Sequence, residues 1–376
     1  MKKKLLIMLA VISMLICIFA ISVSAATPNT YVEFKVKLAG DSDYITAYTE
    51  NAEPSERRIN FNWDFYKDVE FTELVDKSQI VAIDFSQAVS HGTTAKYVNR
   101  ITNATDVSVY ANCQEIKWFS EGFTTAPSNT FNGWTGLKSF DFGCITVIDY
   151  NFLTGTGLES VVIPSTVTKL YNGVFQNCTS LKSVKFEGAV TSMGSNEFAG
   201  CTSLTDVDLG EITVLGENMF SGCTSLKSVT VPSTVTTVNT QVFYNCTALE
   251  SVTLPSNLPT IGKGMFYNCT SLASIELPST IDKINDSAFR ACKALTSIDI
   301  PEGVTYLGVC AFYQAGITSL HIPSTVTSLG YQVAEESAIT TLTFAPIALV
   351  KSLTNLVLPV PDVPARITNG LDLRLR

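Results

Sequence analysis

The chain has 376 residues, 46% of them in the hydrophobic set and only 16% charged, with a formal net charge of −9. That is enough apolar material for a continuous buried core, while the charged fraction falls below the usual value of about 25%. An acidic chain without a Lys/Arg run repels phosphate backbones and anionic lipid surfaces, which excludes nucleic acid as a natural partner.

The first segment is a targeting signal. Lys2, Lys3 and Lys4 form a positive n-region, Leu5 to Val23 an apolar h-region, and Val23-Ser24-Ala25 a small-residue cleavage site. Cleavage after Ala25 leaves 22 basic against 34 acidic residues, so the mature net charge becomes −12. An uncleaved anchor is the alternative, since roughly 17 to 25 apolar residues span a bilayer. Lipid attachment at Cys17 has no support, because Ile16 precedes it where a small residue is needed. In either case the bulk of the chain is exported.

Residues 26–128 open with a clean alternation, Val32, Phe34, Val36 and Leu38 against Glu33, Lys35 and Lys37, which predicts a half-buried strand. Aromatics are frequent here, among them Trp63, Phe65, Tyr66, Phe71 and Trp118, and Ile80-Val81-Ala82-Ile83-Asp84-Phe85 predicts a further strand. The segment reads either as a cap with degenerate repeats or as a small β-rich domain.

From Phe131 a block of about 23 residues recurs. One clean copy places Phe243, Cys246, Leu249, Val252, Leu254, Pro255, Leu258, Ile261 and Gly262 before Phe266. The matching phenylalanines are Phe131, Phe152, Phe175, Phe198, Phe220, Phe243, Phe266, Phe289 and Phe312, in steps of 21 to 23. One such unit cannot bury its apolar face alone, so a fixed period of this length predicts a stacked solenoid over 129–345. Within a unit Ala288, Phe289 and Cys292 are spaced as on a helical turn, and Ile298-Asp299-Ile300 alternates as a strand. Pro164, Pro232, Pro255, Pro278, Pro301 and Pro323 then end the strand ladder. Gly194, Gly216, Asn239, Gly262, Asn285, Gly308 and Gly330 precede the Phe position by four, and their shared tolerance for positive φ predicts the bend that starts the helical turn. Tyr171 breaks that rule.

Six cysteines, Cys178, Cys201, Cys223, Cys246, Cys269 and Cys292, occupy one repeat column, while Cys113, Cys144 and Cys310 lie outside it. Stacked layers about 5 Å apart put neighbours within disulfide range. Yet the column also holds Trp134, Gly155, Ala315 and Ser337, which favours a buried thiol filling apolar volume. Zinc lacks clustered ligands of the Cys-x-x-Cys kind. The sequons at Asn177, Asn245 and Asn268 put a core residue in the middle place and read as turns.

The run Phe266-Tyr267-Asn268-Cys269-Thr270-Ser271-Leu272-Ala273-Ser274-Ile275-Glu276-Leu277-Pro278, with Ile281, Ile284 and Asn285, resembles the BspA-like leucine-rich repeat family. The resemblance covers Phe131 to about Phe344. It implies an α/β repeat solenoid, a superhelix with one parallel sheet and short helical turns, and a secreted or surface-exposed protein, several members being adhesins. After that Ala334 replaces the Phe and Ser337 the Cys, and Leu353, Leu356, Leu358 and Pro359 repeat only the strand part, so 346–376 reads as a C-terminal cap or tail without a wall-sorting motif.

Side-chain parity predicts two outward columns on the strands. One is Ser139, Ser160, Ser183, Asp206, Ser228, Ser251, Ser274, Ser297, Ser319 and Thr341; the other is Asp141, Val162, Lys185, Asp208, Thr230, Thr253, Glu276, Asp299, His321 and Thr343. The candidate binding residues on this face are Lys185, Asp206, Asp208, Thr230, Thr253, Glu276, Asp299 and His321. The competing view is that small polar residues merely keep an exposed sheet soluble. Catalysis lacks a basis, since His91 and His321 are the only histidines and the face carboxylates fall on separate strands. No metal or cofactor motif is present. Tyr244, Tyr267 and Tyr313, each following a Phe, are the aromatics a sugar could use. The reading is therefore a monomeric, non-catalytic, extracellular binder of proteins, with a glycan-binding module or a structural surface protein as alternatives.

Overall fold

The computed structural model describes residues 31–50, 58–69, 71–91, 100–345 and 366–368. The export signal and Leu353, Leu356, Leu358 and Pro359 lie outside the described residues. From Thr125 the backbone winds in coils of 22 or 23 residues; most coils contribute one strand to a first ladder, and each contributes a two-residue strand to a second. In the first ladder the strands Ser160–Ile163, Ser183–Phe186 and Asp206–Asp208 pair in parallel with like positions opposed, as do Ser228–Thr230 with Ser251–Thr253 and Ser319–Ile322 with Thr341–Phe344. The second ladder joins pairs such as Lys169–Leu170 with Ser192–Met193, and Lys283–Ile284 with Tyr306–Leu307. Alternation drives the first ladder: Val184 is buried between half-buried Ser183 and exposed Lys185, so period-two spacing sends one residue to the core and its neighbours outward. Each Pro closes the strand by a turn, its carbonyl accepting the N–H three residues on, as Pro255 does from Leu258 at 3.1 Å.

The expected single sheet is in fact several short ones: the ladder is interrupted between Ser139–Asp141 and Ser160–Ile163, between Asp206–Asp208 and Ser228–Thr230, and again where Ser274–Leu277 and Ser297–Ile300 run alongside without strand pairing. The α/β description is corrected too. Among the described residues the only helical turns are the 3-10 segments Lys77–Gln79 and Val107–Tyr110, both outside the coils. Where the spacing predicted a helical turn, the chain makes two successive turns centred on the Phe column, each containing a left-handed residue. Asn196 (φ 65°) and Gly200 (φ 76°) flank Phe198, Gln241 (57°) and Asn245 (60°) flank Phe243, and Ser287 (55°) and Ala291 (60°) flank Phe289. Left-handed backbone costs a residue with a Cβ roughly 1–2 kcal/mol, so Ser287→Gly should stabilise the protein by about 1 kcal/mol in urea unfolding.

This places the bend elsewhere than expected. Gly194, Gly216, Gly262, Gly308 and Gly330 have ordinary φ; they are glycines because coils touch there. A Cβ added at Gly308 would lie 2.3 Å from Asp286 N, and one at Gly330 2.2 Å from Val309 N. The same left-handed pair corrects one register. Asn151 (φ 54°) and Gly155 (φ 65°) flank Leu153, and Leu153 N donates to Val174 O as Phe175 N does to Glu197 O. Leu153, not Phe152, holds the Phe column in that coil, and Thr156 rather than Gly155 holds the Cys column.

The core follows from stacking. Phe175, Phe198, Phe220, Phe243, Phe266, Phe289 and Phe312 form one pile, with centroids 5.3 to 5.7 Å apart and planes within 2° to 14° of parallel. At the N-terminal end the pile gives way to edge-to-face packing of Phe131, Phe152, Trp118 and Trp134, and Trp134 stacks on Tyr110 at 4.6 Å. There Tyr31–Leu38 and Ile45–Glu50 form an antiparallel pair that continues through Ile80–His91 into Glu115–Lys117 and Ser139–Asp141, the last three running parallel. Val32, Phe34 and Val36 are buried as their alternation requires, and the ladder runs across residue 128 without a break.

Candidate functional site: the outward strand face

Lys185, Asp206, Asp208, Thr230, Thr253, Glu276, Asp299 and His321 are all exposed on one side of the coils. Pairing sets Val162 beside Lys185 beside Asp208, Thr230 beside Thr253, and His321 beside Thr343. His321 Nδ1 lies 2.8 Å from Thr343 Oγ1, so its ring is engaged along the face. Val162 is 47% exposed, an apolar point on an otherwise polar surface. Asp208 has a second role: its Oδ1 accepts Gly210 N–H at 3.0 Å, as Asp141 does for Gly143, and holds a left-handed turn. Bordering the face, Glu159 lies between Lys138 (3.6 Å) and Lys182 (2.9 Å), one coil to either side. The Lys182 hydrogen bond and the two ammonium groups hold its carboxyl below the usual range. Such exposed pairs contribute little stability, and here they favour like-register stacking of the coils. Among the described residues no group of three or more His, Cys, Asp or Glu is placed to hold a metal ion.

The cysteine column is a ladder of free thiols. Each Sγ donates to the carbonyl of the Phe-column residue one coil back: Cys178 to Leu153 at 3.2 Å, Cys246 to Phe220 at 3.1 Å, Cys292 to Phe266 at 3.0 Å. The thiol thus adds a second donor to a carbonyl that already accepts an N–H within its own turn, as Phe220 O does from Cys223 N at 3.0 Å, which apolar filling alone would not do. Burial pushes the thiols of Cys246 and Cys292 up to about 12. At pH 8 only about one in ten thousand is thiolate, and the thiolate is the reactive form. A disulfide reagent should therefore leave Cys246 and Cys292 unlabelled in the native protein and label both in guanidinium; rapid native labelling would contradict the ladder.

Two residues that spacing did not single out are exceptional. Glu197 sits in the column immediately before Phe, where its neighbours are Val174 and Met219. It is 0% exposed, neither oxygen has a hydrogen-bond partner, and burial pushes its carboxyl up to about 8. Gly216 leaves room for it, since a Cβ there would come within 2.9 Å of Glu197 Oε2. Arg290 is held on the turn rim between the rings of Tyr267 and Tyr313.

A stack of short parallel strands with an apolar repeat column inside and a variable polar column outside is the architecture of a leucine-rich repeat protein. The chain belongs to the BspA type leucine rich repeat family, whose model matches in six copies over residues 102–227 and 213–340. Among solved structures it is similar to a leucine-rich repeat protein from Bacteroides ovatus, at 17% identity over 90% of this chain and 98% of that one, with a TM-score of 0.53; at that identity the likeness is one of fold. A leucine rich repeat protein of T. pallidum is 29% identical over 42% of this chain and 76% of its own, with a TM-score of 0.39. A leucine rich cell surface protein from Faecalibacterium prausnitzii is 18% identical over 65% and 92%, with a TM-score of 0.26. No curated protein matches the chain. No helix among the described residues is long and apolar enough to cross a membrane.

Proposed function

We propose that this protein is an exported, non-catalytic, monomeric repeat scaffold that binds extracellular proteins through its outward strand face, in the manner of an adhesin, with residues 26–128 closing one end of the solenoid. The observation that carries the reading is the face itself. A rigid stack exposes an almost uniform serine column beside one that varies from coil to coil, from Lys185 to Asp208, Glu276, Asp299 and His321. Constant scaffold with variable side chains is the division of labour that recognition requires. The export signal supports the extracellular setting, and a mature net charge of −12 favours basic surfaces on the partner.

The test replaces Lys185, Glu276 and Asp299 together by Ser and measures binding to a panel of purified extracellular matrix proteins. Asp208 is changed separately to Asn, which keeps an acceptor for Gly210 N–H. A binding partner should lose at least about tenfold in affinity while the far-UV spectrum stays the same; unaltered affinity would remove the strand face as the site.

A further inference from the structure

The position directly after the Phe column lies on the rim of the solenoid. In four successive coils it is filled by Tyr244, Tyr267, Arg290 and Tyr313, whereas preceding coils have Gln176, Ala199 and Ser221. These four side chains are half-buried and stack in order. The rings of Tyr244 and Tyr267 are 4.9 Å apart and 27° from parallel, and the Arg290 guanidinium carbon is 5.2 Å from the Tyr267 ring centroid and 4.6 Å from that of Tyr313. Arg290 is the one arginine between residues 101 and 345.

Its placement does not serve stability alone. The Nε–H of Arg290 is buried without a hydrogen-bond partner, and no ion pair joins it to a carboxylate among the described residues. The acidic groups further along the same rim, Glu335 and Glu336, lie two coils on. Glu336 is already bound by the Tyr313 hydroxyl and by the Gln314 amide at 2.7 Å. A buried orphan donor costs free energy and calls for an explanation. A guanidinium clamped between two ring faces has lost its rotamer freedom in advance, and its planar fork is matched to a carboxylate.

We propose that this Tyr-Tyr-Arg-Tyr ridge is a second docking site, for a protein partner that presents an aspartate or glutamate carboxylate to Arg290. It rests on the protein-binding reading but not on the strand face. Tyr and Arg are the side chains that dominate protein interfaces, and the ridge, about 15 Å long over four layers, has the extent of an interface core. A saccharide is the poorer occupant: sugars pack on free aromatic faces, and here the faces of Tyr267 and one face each of Tyr244 and Tyr313 are consumed by stacking, which leaves edges and hydroxyls outward.

A displayed library of random peptides, selected on the purified chain, tests this. Selected peptides should share an acidic residue, and their affinity should fall roughly tenfold or more in both Arg290→Met and Arg290→Lys, since lysine lacks the fork. It should be unchanged when Glu276 and Asp299 are Ser, the change that reports on the strand face. Arg290→Gln is the second variant if Arg290→Met alters the melting midpoint. Peptides without a carboxylate, or affinity that survives both neutral variants, would overturn the proposal. So would a glycan array on which acidic oligosaccharides, rather than peptides, depend on Arg290.

Discussion

Glu197→Met should make the protein more stable, and the gain should grow as pH rises from 5 to 8. The carboxyl is fully buried, both its oxygens lack partners, and burial pushes it from the ordinary 4.5 up to about 8. A folded-state value above the unfolded one means that the native protein holds a proton which the unfolded chain releases between those limits. Stability from this group is therefore fully present below about pH 4.5 and is lost progressively until pH 8 is passed. At 1.36 kcal/mol per unit, the loss over that window is on the order of 4 kcal/mol. Methionine suits the site, because Met219 and Met265 occupy the same column in other coils. Urea unfolding of both proteins at several pH values measures the difference directly. Glu197→Gln separates charge from polarity: it should flatten the pH dependence yet recover less at pH 5, because an unpartnered buried amide still carries a cost. A wild-type minus variant difference that is constant from pH 5 to 8 would show that Glu197 is solvated.

How much of this could be read from the chain alone depends on which physical cause wrote each column. The Phe, Leu and strand columns are written by burial, which admits few alternatives, so the solenoid, its core and the outward face of Lys185, Glu276 and His321 are legible in the spacing. The glycine column is ambiguous because glycine answers two different demands. At Gly200 it supplies positive φ, and at Gly308 it makes room for the neighbouring backbone; one letter stands for both. The spacing is ambiguous about the helical turn for a related reason. An apolar interval of one and three residues fits a helix face, but it also fits two linked turns with a left-handed residue on each side of the Phe. Phe152 misled because Phe152 and Leu153 are adjacent and both fully buried, so only the left-handed flanks Asn151 and Gly155 decide the register. Glu197 and Arg290 are visible once the columns before and after Phe are aligned. A single Glu interrupts Val174, Met219, Val242 and Met265, and a single Arg interrupts a run of tyrosines. What they do is not visible there, since the absence of a partner is a property of the fold.

Phe243→Ala should cost about 3–5 kcal/mol, the range for deleting a buried aromatic ring. Phe243 is fully buried and lies 5.6 Å from both Phe220 and Phe266, with planes 7° and 6° from parallel, so its removal breaks two ring contacts and opens a cavity inside the pile. In a solenoid each coil touches only its neighbours, and stability is close to a sum of coil and interface terms. The cost should therefore depend on position. Phe312 has Phe289 on one side at 5.6 Å but Ala334 in the column on the other, so Phe312→Ala forfeits a single ring contact and should cost less than Phe243→Ala. Phe243→Leu should be milder still, because Leu153 already fills the column in a native coil. Urea midpoints of the three variants give the order. Equal losses for Phe243→Ala and Phe312→Ala would mean that the rings contribute through their own burial only, and that stacking from coil to coil adds nothing to the stiffness on which a fixed binding face depends.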